Sequence, residues 1–286
     1  MSWKDSNCHK RILHEAEIGR YAVIAAIAYN IEQILGLARA AETAQSPLII
    51  QFFPWAIEAT DGLLVRAAAD AAKRANVPIS IHLDHAQSES IIKRAADLAF
   101  DSIMVDMSHY EKEINLKMTR ELVQYCNERE TVTEAEPGRI EGGEDGVMDT
   151  AGLEACMTTA EEVDEFVDTG VDVLALLLEI FTVNMASVAH NLISKGEFEN
   201  IRIQAKGRIN LALHGTNGFS PELMKCCVAA GVTKINVNRL VLDDYYDHLQ
   251  ENAGKMPHTQ LIEEGIQKVT DLTIKWMEIC GSAGKA

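Results

Sequence analysis

Two histidine-bearing motifs are the strongest candidates for chemistry. PISIHLDHAQS (78–88) ends a β-branched run with Asp84 and His85, and LALHGTNG (211–218) ends another apolar run with His214. Two imidazoles with carboxylates nearby are the ligand types of a catalytic zinc centre that keeps one coordination position open. A lone histidine at a strand end is more often structural, so the zinc hypothesis requires His85 and His214 to lie on different strands at one rim.

The HLDH segment places a geometric condition on this hypothesis. Side chains alternate across a strand, so His82 and Asp84 share one face while His85 points the other way. A regular strand cannot direct all three at one ion, and the strand end must therefore twist or bulge if Asp84 and His85 act together. We predict that His82 is structural.

Polar groups also end three other apolar runs. Asp106 begins DMSH, Glu134 and Glu136 alternate in TEAEP, and Asn236 and Asn238 alternate in INVN. In a barrel of parallel strands the carboxyl ends meet at one mouth, where these groups would join the two histidines.

Two glycine-rich segments have a functional and a plain interpretation. Gly215 and Gly218 would let the backbone approach a phosphate closely, although a glycine turn after a strand is common. GRIEGGEDG (138–146) has the composition of a mobile lid, but a solvated loop is the favoured interpretation from the residues alone.

The elements that must position these groups alternate along the chain. Strand-like runs occur at 21–28, 47–53, 78–85, 102–108, 131–137, 173–178, 209–215 and 233–238. Helix-like stretches occur at 31–44, 61–75, 89–100, 115–130, 159–170 and 259–281. Eight apolar strands alternating with helices favour an α/β fold of the (β/α)8 (TIM) barrel type over an open doubly wound sheet.

No linker divides the chain, so we expect a single barrel domain over 1–286 with a C-terminal helical extension at about 257–286. That extension is expected to pack on the outside of the barrel or on a partner chain. Residues 179–208 have no clean period, and loop and helix remain open there.

Composition restricts the partners. The 286 residues carry a net charge of −17, which disfavours nucleic acid and anionic membranes but leaves a small anionic substrate possible. The N-terminal stretch is too polar for a signal peptide, and no apolar run could span a bilayer. Six cysteines without CxxC spacing are typical of reduced thiols, so we expect a cytoplasmic protein.

Five motifs together resemble the class II, zinc-dependent ketose-bisphosphate aldolases, which act on fructose-1,6-bisphosphate or tagatose-bisphosphate. They are PISIHLDHAQS, DSIMVDMSHY followed by EKEIN, TEAEPGRIEGGEDG, LALHGTNG and GVTKINVN. The likeness spans roughly 20–172 and 209–240. It implies a TIM barrel that cleaves a ketose bisphosphate to dihydroxyacetone phosphate and glyceraldehyde 3-phosphate. It also implies a zinc ion, room for a second divalent ion or a monovalent cation, and a homodimer or larger assembly.

The resemblance assigns roles residue by residue. Asp84 would move a proton at the aldehyde-side oxygen, and Glu144 would be the base for the ketose carbon. His85 and His214 would bind zinc, and Asp106 and Glu136 would hold a second or alternative metal position. Substrate contacts are implied for Gly215, Thr216, Asn217, Gly218, Asn236, Asn238 and Arg239.

One segment departs from the family pattern. A third zinc histidine is expected after strand six, where this chain has LLLEIFTVN (176–184) with Thr182 near the histidine position. His190 is the nearest imidazole, and a shifted loop could deliver it. Two alternatives therefore stay open: a catalytically impaired aldolase-like protein that binds a sugar phosphate or a partner, and a Schiff-base enzyme that uses Lys234. The fructose or tagatose configuration is not distinguished by the sequence.

Overall fold

Parallel strands form a closed barrel in the computed structural model, which describes residues 2–138, 158–176 and 195–286. The eight strands are β1 (Val23–Ile27), β2 (Leu48–Phe52), β3 (Ile79–Ala86), β4 (Ser102–Val105), β5 (Val132–Ala135), β6 (Val173–Leu176), β7 (Asn210–Leu213) and β8 (Lys234–Val237). Each pairs with the next in sequence order, and β8 pairs with β1. The predicted (β/α)8 barrel is therefore confirmed, with all eight strands at the expected places.

Most strand residues are apolar because both faces of the barrel strands are covered. Every residue of β1, β2, β4 and β6 is buried, as expected for a parallel barrel with side chains inside and helices outside. Buried polar side chains on β2, β3, β5 and β8 contribute to the candidate site.

Twelve helices lie within the described residues, and the six predicted ones are among them. They are α1 (Trp3–Ser6), α2 (Cys8–Gly19), α3 (Ile31–Ala44), α4 (Pro54–Thr60), α5 (Leu63–Arg74), α6 (Glu89–Ala96), α7 (Lys112–Asn127), α8 (Ala160–Val167), α9 (Lys195–Ala205), α10 (Pro221–Ala229), α11 (Arg239–Asn252) and α12 (His258–Cys280). Side-chain caps begin several of them: Asn30 accepts from the Gln33 amide at α3, and Thr159 and Glu162 form a capping box at α8. The sequence leaves loop and helix open at 179–208, and helix α9 shows that part of this segment is helical.

Helix α2 covers the N-terminal end of the barrel. Its apolar residues Ile12, Leu13 and Ala16 are fully buried and belong to one cluster with strand residues such as Val23 and Ala212. Just before α2, the Asn7 side chain donates to the carbonyl of Asp101 (2.9 Å), which precedes β4. The chain therefore closes one end of its barrel and leaves the other end for chemistry.

The C-terminal helix α12 packs on α3 and α11 of the same chain, on the outside of the barrel. A Cβ atom added at Gly36 in α3 would lie 2.7 Å from Cβ of Val269, so glycine is what allows this close approach. Thr270 Oγ1 also donates to the Gly36 carbonyl (3.1 Å). This extension is expected to pack on the outside of the barrel or on a partner chain, and within the chain it packs on the outside of the barrel. Among the described helices, none has the length and apolar character needed to cross a bilayer.

Candidate active site

A β-bulge at the end of β3 brings Asp84 and His85 to one site. The register with β4 shifts between Leu83 and Ala86, and His85 adopts a left-handed backbone conformation with φ = +47°. The His85 amide turns to the Met104 sulfur (3.4 Å). Such backbone geometry in a residue other than glycine costs about 1–3 kcal/mol. The expected irregularity of the HLDH segment is therefore present.

His85 and His214 approach each other closely across the barrel mouth. Nε2 of His85 lies 3.2 Å from Nδ1 of His214, and the rings are nearly perpendicular, at 81°. Two nitrogens bound to one tetrahedral zinc ion lie about 3.4 Å apart, since each bond is about 2.0–2.1 Å. The separation of the two imidazoles therefore suits a shared ion.

A carboxylate holds the outer nitrogen of each imidazole. Nδ1 of His85 lies 2.8 Å from Oδ2 of Asp106, and Nε2 of His214 lies 2.8 Å from Oε1 of Glu134. If each outer nitrogen donates to its carboxylate, the lone pairs of the inner nitrogens face each other. This is the arrangement in which second-shell carboxylates orient metal-binding histidines.

The charges around His85 are concentrated and buried. Burial alone would lower the pKa of His85, but the carboxylates of Asp84, Asp106 and Glu136 outweigh it and hold that pKa well above its usual value. Burial opposes ionisation of Asp106 too, yet its hydrogen bond and charge contact with His85 lower its pKa to about 2. Burial and the neighbouring Asp106 raise the pKa of Glu136 well above the usual range. An excess of acidic groups beside two imidazoles is chemically suited to a divalent cation.

The structure offers two overlapping sets of metal-ligand atoms at this mouth. In each set the candidate atoms lie within 4.8 Å of one another: Asp84 with His85 and His214, and His85 with Asp106 and Glu136. Oδ1 of Asp84 and Oε1 of Glu136 are buried and have no hydrogen-bond partner within the described part of the chain. The donor types and the two free carboxylate oxygens fit a divalent metal ion. The predicted ligand His190 and the predicted base Glu144 lie outside the described residues.

Asp84 is held by two amide side chains. Its Oδ2 accepts from Nε2 of Gln51 on β2 and from Nδ2 of Asn236 on β8, both at 3.0 Å. Asp84 is only 2% exposed, and its Oδ1 is buried with no hydrogen-bond partner among the described residues. Sequence reasoning missed Gln51, although a single polar residue inside LIIQF was a usable signal.

A buried ion pair supports the histidine site from below. Nζ of Lys234 lies 2.9 Å from Oε2 of Glu134 and donates to Oδ1 of Asn236 (2.7 Å). Burial disfavours the carboxylate of Glu134, but Lys234 and His214 together hold its pKa well below the usual range. The sequence places Glu134 with Glu136 at the mouth but gives Glu134 no specific role; in the structure its Oε1 holds Nε2 of His214. These contacts hold the Lys234 ammonium in the barrel interior.

The glycine turn after β7 lies beside the histidines. Gly215 and Gly218 both have positive φ (+66° and +79°), which glycine adopts without strain. The Thr216 hydroxyl donates to the carbonyl of Asn236 (2.5 Å) and ties the turn to β8. One cavity joins most of the predicted residues; its lining includes Gln51, Asp84, His85, His214, Gly215, Thr216, Asn217, Asn236 and Asn238.

Two predicted substrate residues do not line this cavity. Arg239 begins α11, is exposed, and its guanidinium pairs with Asp243 one turn along the same helix. Gly218 is exposed at the outer end of the turn, where an added Cβ would contact nothing within 4 Å. Asn238 lines the cavity, and its Nδ2 donates to the Tyr29 hydroxyl (3.1 Å).

Comparison with known proteins identifies the family of the chain. The family model described as fructose-bisphosphate aldolase class-II matches residues 7–285. A Coccidioides immitis protein with the provisional name fructose-bisphosphate aldolase is 47% identical over 98% of this chain and 95% of its own length. The fructose-bisphosphate aldolase of Giardia intestinalis is 28% identical over 97% of this chain and 93% of its own length.

Two solved structures of proteins named as aldolases are also similar to this chain. The crystal structure of a provisionally named fructose-1,6-biphosphate aldolase from Coccidioides immitis has 47% identity and a TM-score of 0.92, covering 98% of each chain. The YdjI aldolase of Escherichia coli K12 has 27% identity and a TM-score of 0.81, covering 96% of this chain and 97% of its own. The chain belongs to the class-II fructose-bisphosphate aldolase family, and it is a carbon–carbon lyase of the aldolase type.

Proposed function

We propose that this chain catalyses the metal-dependent aldol cleavage and condensation of a ketose bisphosphate. The products of cleavage are dihydroxyacetone phosphate and glyceraldehyde 3-phosphate, and the substrate is fructose-1,6-bisphosphate or its tagatose isomer. The observation that carries the proposal is the 3.2 Å separation of His85 Nε2 and His214 Nδ1 beside the free carboxylate oxygen of Asp84. The names of the relatives favour the fructose substrate.

His85 and His214 would hold a divalent ion, which we propose to be zinc, with a further ligand from Glu136, Asp106 or His190. When bound, the ion acts as a Lewis acid towards the oxygens of the ketose. Asp106 and Glu134 keep the two imidazoles in the tautomers that leave their inner nitrogens free for the ion.

Asp84 is proposed to move the proton of the aldehyde-side hydroxyl. Gln51 and Asn236 both donate to Oδ2 and thereby orient the carboxylate, so Oδ1 is the atom available for proton transfer. Glu144 is the proposed base at the ketose carbon. The turn at 215–218 is proposed to hold phosphate through its backbone amides, with Asn236 and Asn238 contacting the dihydroxyacetone phosphate portion.

Three further points belong to this proposal. The chain is proposed to be cytoplasmic, to assemble as a homodimer or larger oligomer, and to accept a monovalent cation or a second divalent ion in addition to zinc. Light scattering at several concentrations tests the assembly. Metal analysis of the purified protein tests the ions.

A coupled assay for cleavage of both ketose bisphosphates tests the reaction. Asp84→Ala should abolish turnover and keep the metal, whereas His214→Ala should lose the metal. His258→Ala, which changes an exposed histidine at the start of α12, is the matched control and should behave like the parent. If Asp84→Ala and His214→Ala both cleave substrate at the parent rate, the proposed site is wrong.

A catalytically impaired, sugar-phosphate-binding protein is the second candidate. The histidine-free sequence LLLEIFTVN (176–184) favours it. Binding of substrate without turnover in the presence of added zinc would support this candidate over the first.

A further inference from the structure

Helix α2 inserts a histidine into the interior of the barrel from the end opposite the active site. His9 is completely buried, and its Nδ1 lies 2.9 Å from Oγ of Ser80 on β3. Its ring stacks on His82, with centroids 5.3 Å apart and an interplanar angle of 23°. His9 therefore joins the N-terminal helix to the strand that carries Asp84 and His85.

His82 continues this contact towards the catalytic carboxylates. Its Nδ1 lies 3.0 Å from Oγ of Ser102, and its Nε2 lies 3.7 Å from Oε2 of Glu134 and 3.9 Å from Oδ1 of Asp84. Both carboxylate distances are too long for direct hydrogen bonds. His82 therefore faces the two groups that orient His214 and transfer the proton, without bonding to either.

The free edges of the two stacked histidines lack partners. Nε2 of His9 and Nε2 of His82 are buried and have no hydrogen-bond partner within the described residues. His9, His82 and Glu134 each offer one ligand atom, and these atoms lie within 4.8 Å of one another. Buried polar atoms are nearly always satisfied, so this convergence calls for a small polar occupant.

Water suits these groups better than a metal ion. Lys234 already places an ammonium 2.9 Å from Oε2 of Glu134, and a divalent cation beside the same carboxylate would be repelled. Burial and the charge of Lys234 lower the pKa of His9 to about 3, so the ring is neutral and can accept a hydrogen bond. A water molecule can donate to an imidazole nitrogen and to a carboxylate oxygen simultaneously.

We propose that an ordered water molecule bridges His9, His82 and Glu134, and that His9 is a positioning residue for the reaction. Through this bridge α2 would steady Glu134, which holds His214, and His82, which faces Asp84. This inference rests on the proposed function. It assigns a catalytic consequence to a residue at the closed end of the barrel.

Two amide variants separate positioning from packing. His9→Asn keeps an amide near the Nδ1 position and so keeps the contact with Ser80, but it removes the Nε2 edge. His9→Gln places its amide near the Nε2 position and loses the contact with Ser80. A positioning role predicts that Asn lowers kcat about tenfold, equivalent to about one hydrogen bond, with KM and metal content unchanged, whereas Gln retains most of kcat.

The melting temperature (Tm) of each variant distinguishes a structural role of His9 from a positioning role. A merely structural role predicts that kcat follows Tm, with Asn at least as active as Gln because it keeps the Ser80 contact. That result would overturn the proposal. Ser80→Ala is the second variant: it removes the Nδ1 partner and keeps Nε2, so its kcat should stay near that of the parent even if both His9 variants fail to fold. A tenfold loss of kcat in Ser80→Ala would also overturn the proposal.

A high-resolution crystal structure of the parent checks the water directly. Density within hydrogen-bond distance of His9 Nε2 and His82 Nε2 supports the bridge, and the lack of such density overturns it even if the parent has no turnover. A second equivalent of metal that is lost in His9→Asn would show a cation there and would also overturn the proposal. An inactive parent with the water in place would instead count against the proposed function alone.

Discussion

Nδ1 of His85 lies 2.8 Å from Oδ2 of Asp106, while Oδ1 of Asp106 accepts from both the amide (3.1 Å) and the hydroxyl (2.6 Å) of Ser108. Both oxygens of this carboxylate have partners, and one of them fixes the imidazole ring. In this structure Asp106 therefore orients His85. Direct metal binding by Asp106, as the resemblance implies, remains a prediction.

Asp106→Ala is expected to lower zinc affinity about 10–100-fold, because the carboxylate that accepts from Nδ1 and fixes the His85 ring is lost. Competition with a chromophoric chelator measures the change. Asp97→Ala, which removes an exposed carboxylate, is the control and should leave the affinity unchanged. An unaltered affinity in Asp106→Ala would show that the backbone of β3 is sufficient to orient His85.

The Lys234–Glu134 ion pair should have a measurable effect on the free energy of unfolding. Lys234→Met leaves the fully buried Glu134 carboxylate without its cation, and we expect the free energy of unfolding to fall by about 3–5 kcal/mol. Adding Glu134→Gln removes the unpaired charge and should restore part of the loss. Urea unfolding of the metal-free proteins measures both effects. If the loss of unfolding free energy in the double variant equals the sum of the losses in the two single variants, the two residues are not coupled.

Metal binding should depend on pH through His85. In the metal-free protein, burial would lower the pKa of His85. The carboxylates of Asp84, Asp106 and Glu136 outweigh burial and hold this pKa well above 6.5. The raised pKa favours the protonated ring in the metal-free protein, and a metal must displace a proton held at the inner nitrogen. Apparent zinc affinity should rise with pH until the pH passes the folded-state pKa. Calorimetry at pH 7 in buffers of different ionisation enthalpy should show about one proton released per ion; no release would contradict this.

The raised pKa of His85 should also make the stability of the metal-free fold depend on pH. Stability should fall as pH rises, whereas metal affinity should increase. Protonated His85 stabilises the folded state fully at pH values below the unfolded pKa of about 6.5. This contribution is lost as pH rises through the higher folded pKa. Urea unfolding of the metal-free protein across this range, with His85→Gln as the comparison, measures the difference.

Chelator and borohydride should distinguish metal from Schiff-base chemistry. A chelator should abolish turnover and added zinc should restore it. Borohydride with dihydroxyacetone phosphate should leave activity and mass unchanged, because Lys234 is fully buried and engaged with Glu134 and Asn236. A borohydride-dependent mass increase on the peptide that contains Lys234 would contradict the metal mechanism.

The barrel could be predicted because each strand is an apolar run that carries its own signal. The two histidines could be predicted as a pair because parallel strands bring their carboxyl ends to one rim. Contacts across the interior could not be predicted, because Glu134 with His214 and Gln51 with Asp84 depend on how the barrel closes. His9 was missed because CHKRILHEAEIG looks mostly polar, and only the fold reveals that one face covers the barrel end. The resemblance assigns Arg239 to the substrate; in this structure its guanidinium pairs with Asp243, and substrate contact by Arg239 stays a prediction.

The bulge in β3 brings two residues that are adjacent in the chain, and that we propose to act in the same reaction, to one site. Asp84 and His85 are consecutive, and the left-handed turn of His85 sends both towards the mouth. Their spacing is set by covalent geometry and not by the packing of separate elements. Thermal motion that displaces Asp84, the proposed proton carrier, must then also move His85, the proposed metal ligand. Their relative alignment should therefore survive motions of the barrel that would misalign groups on different strands.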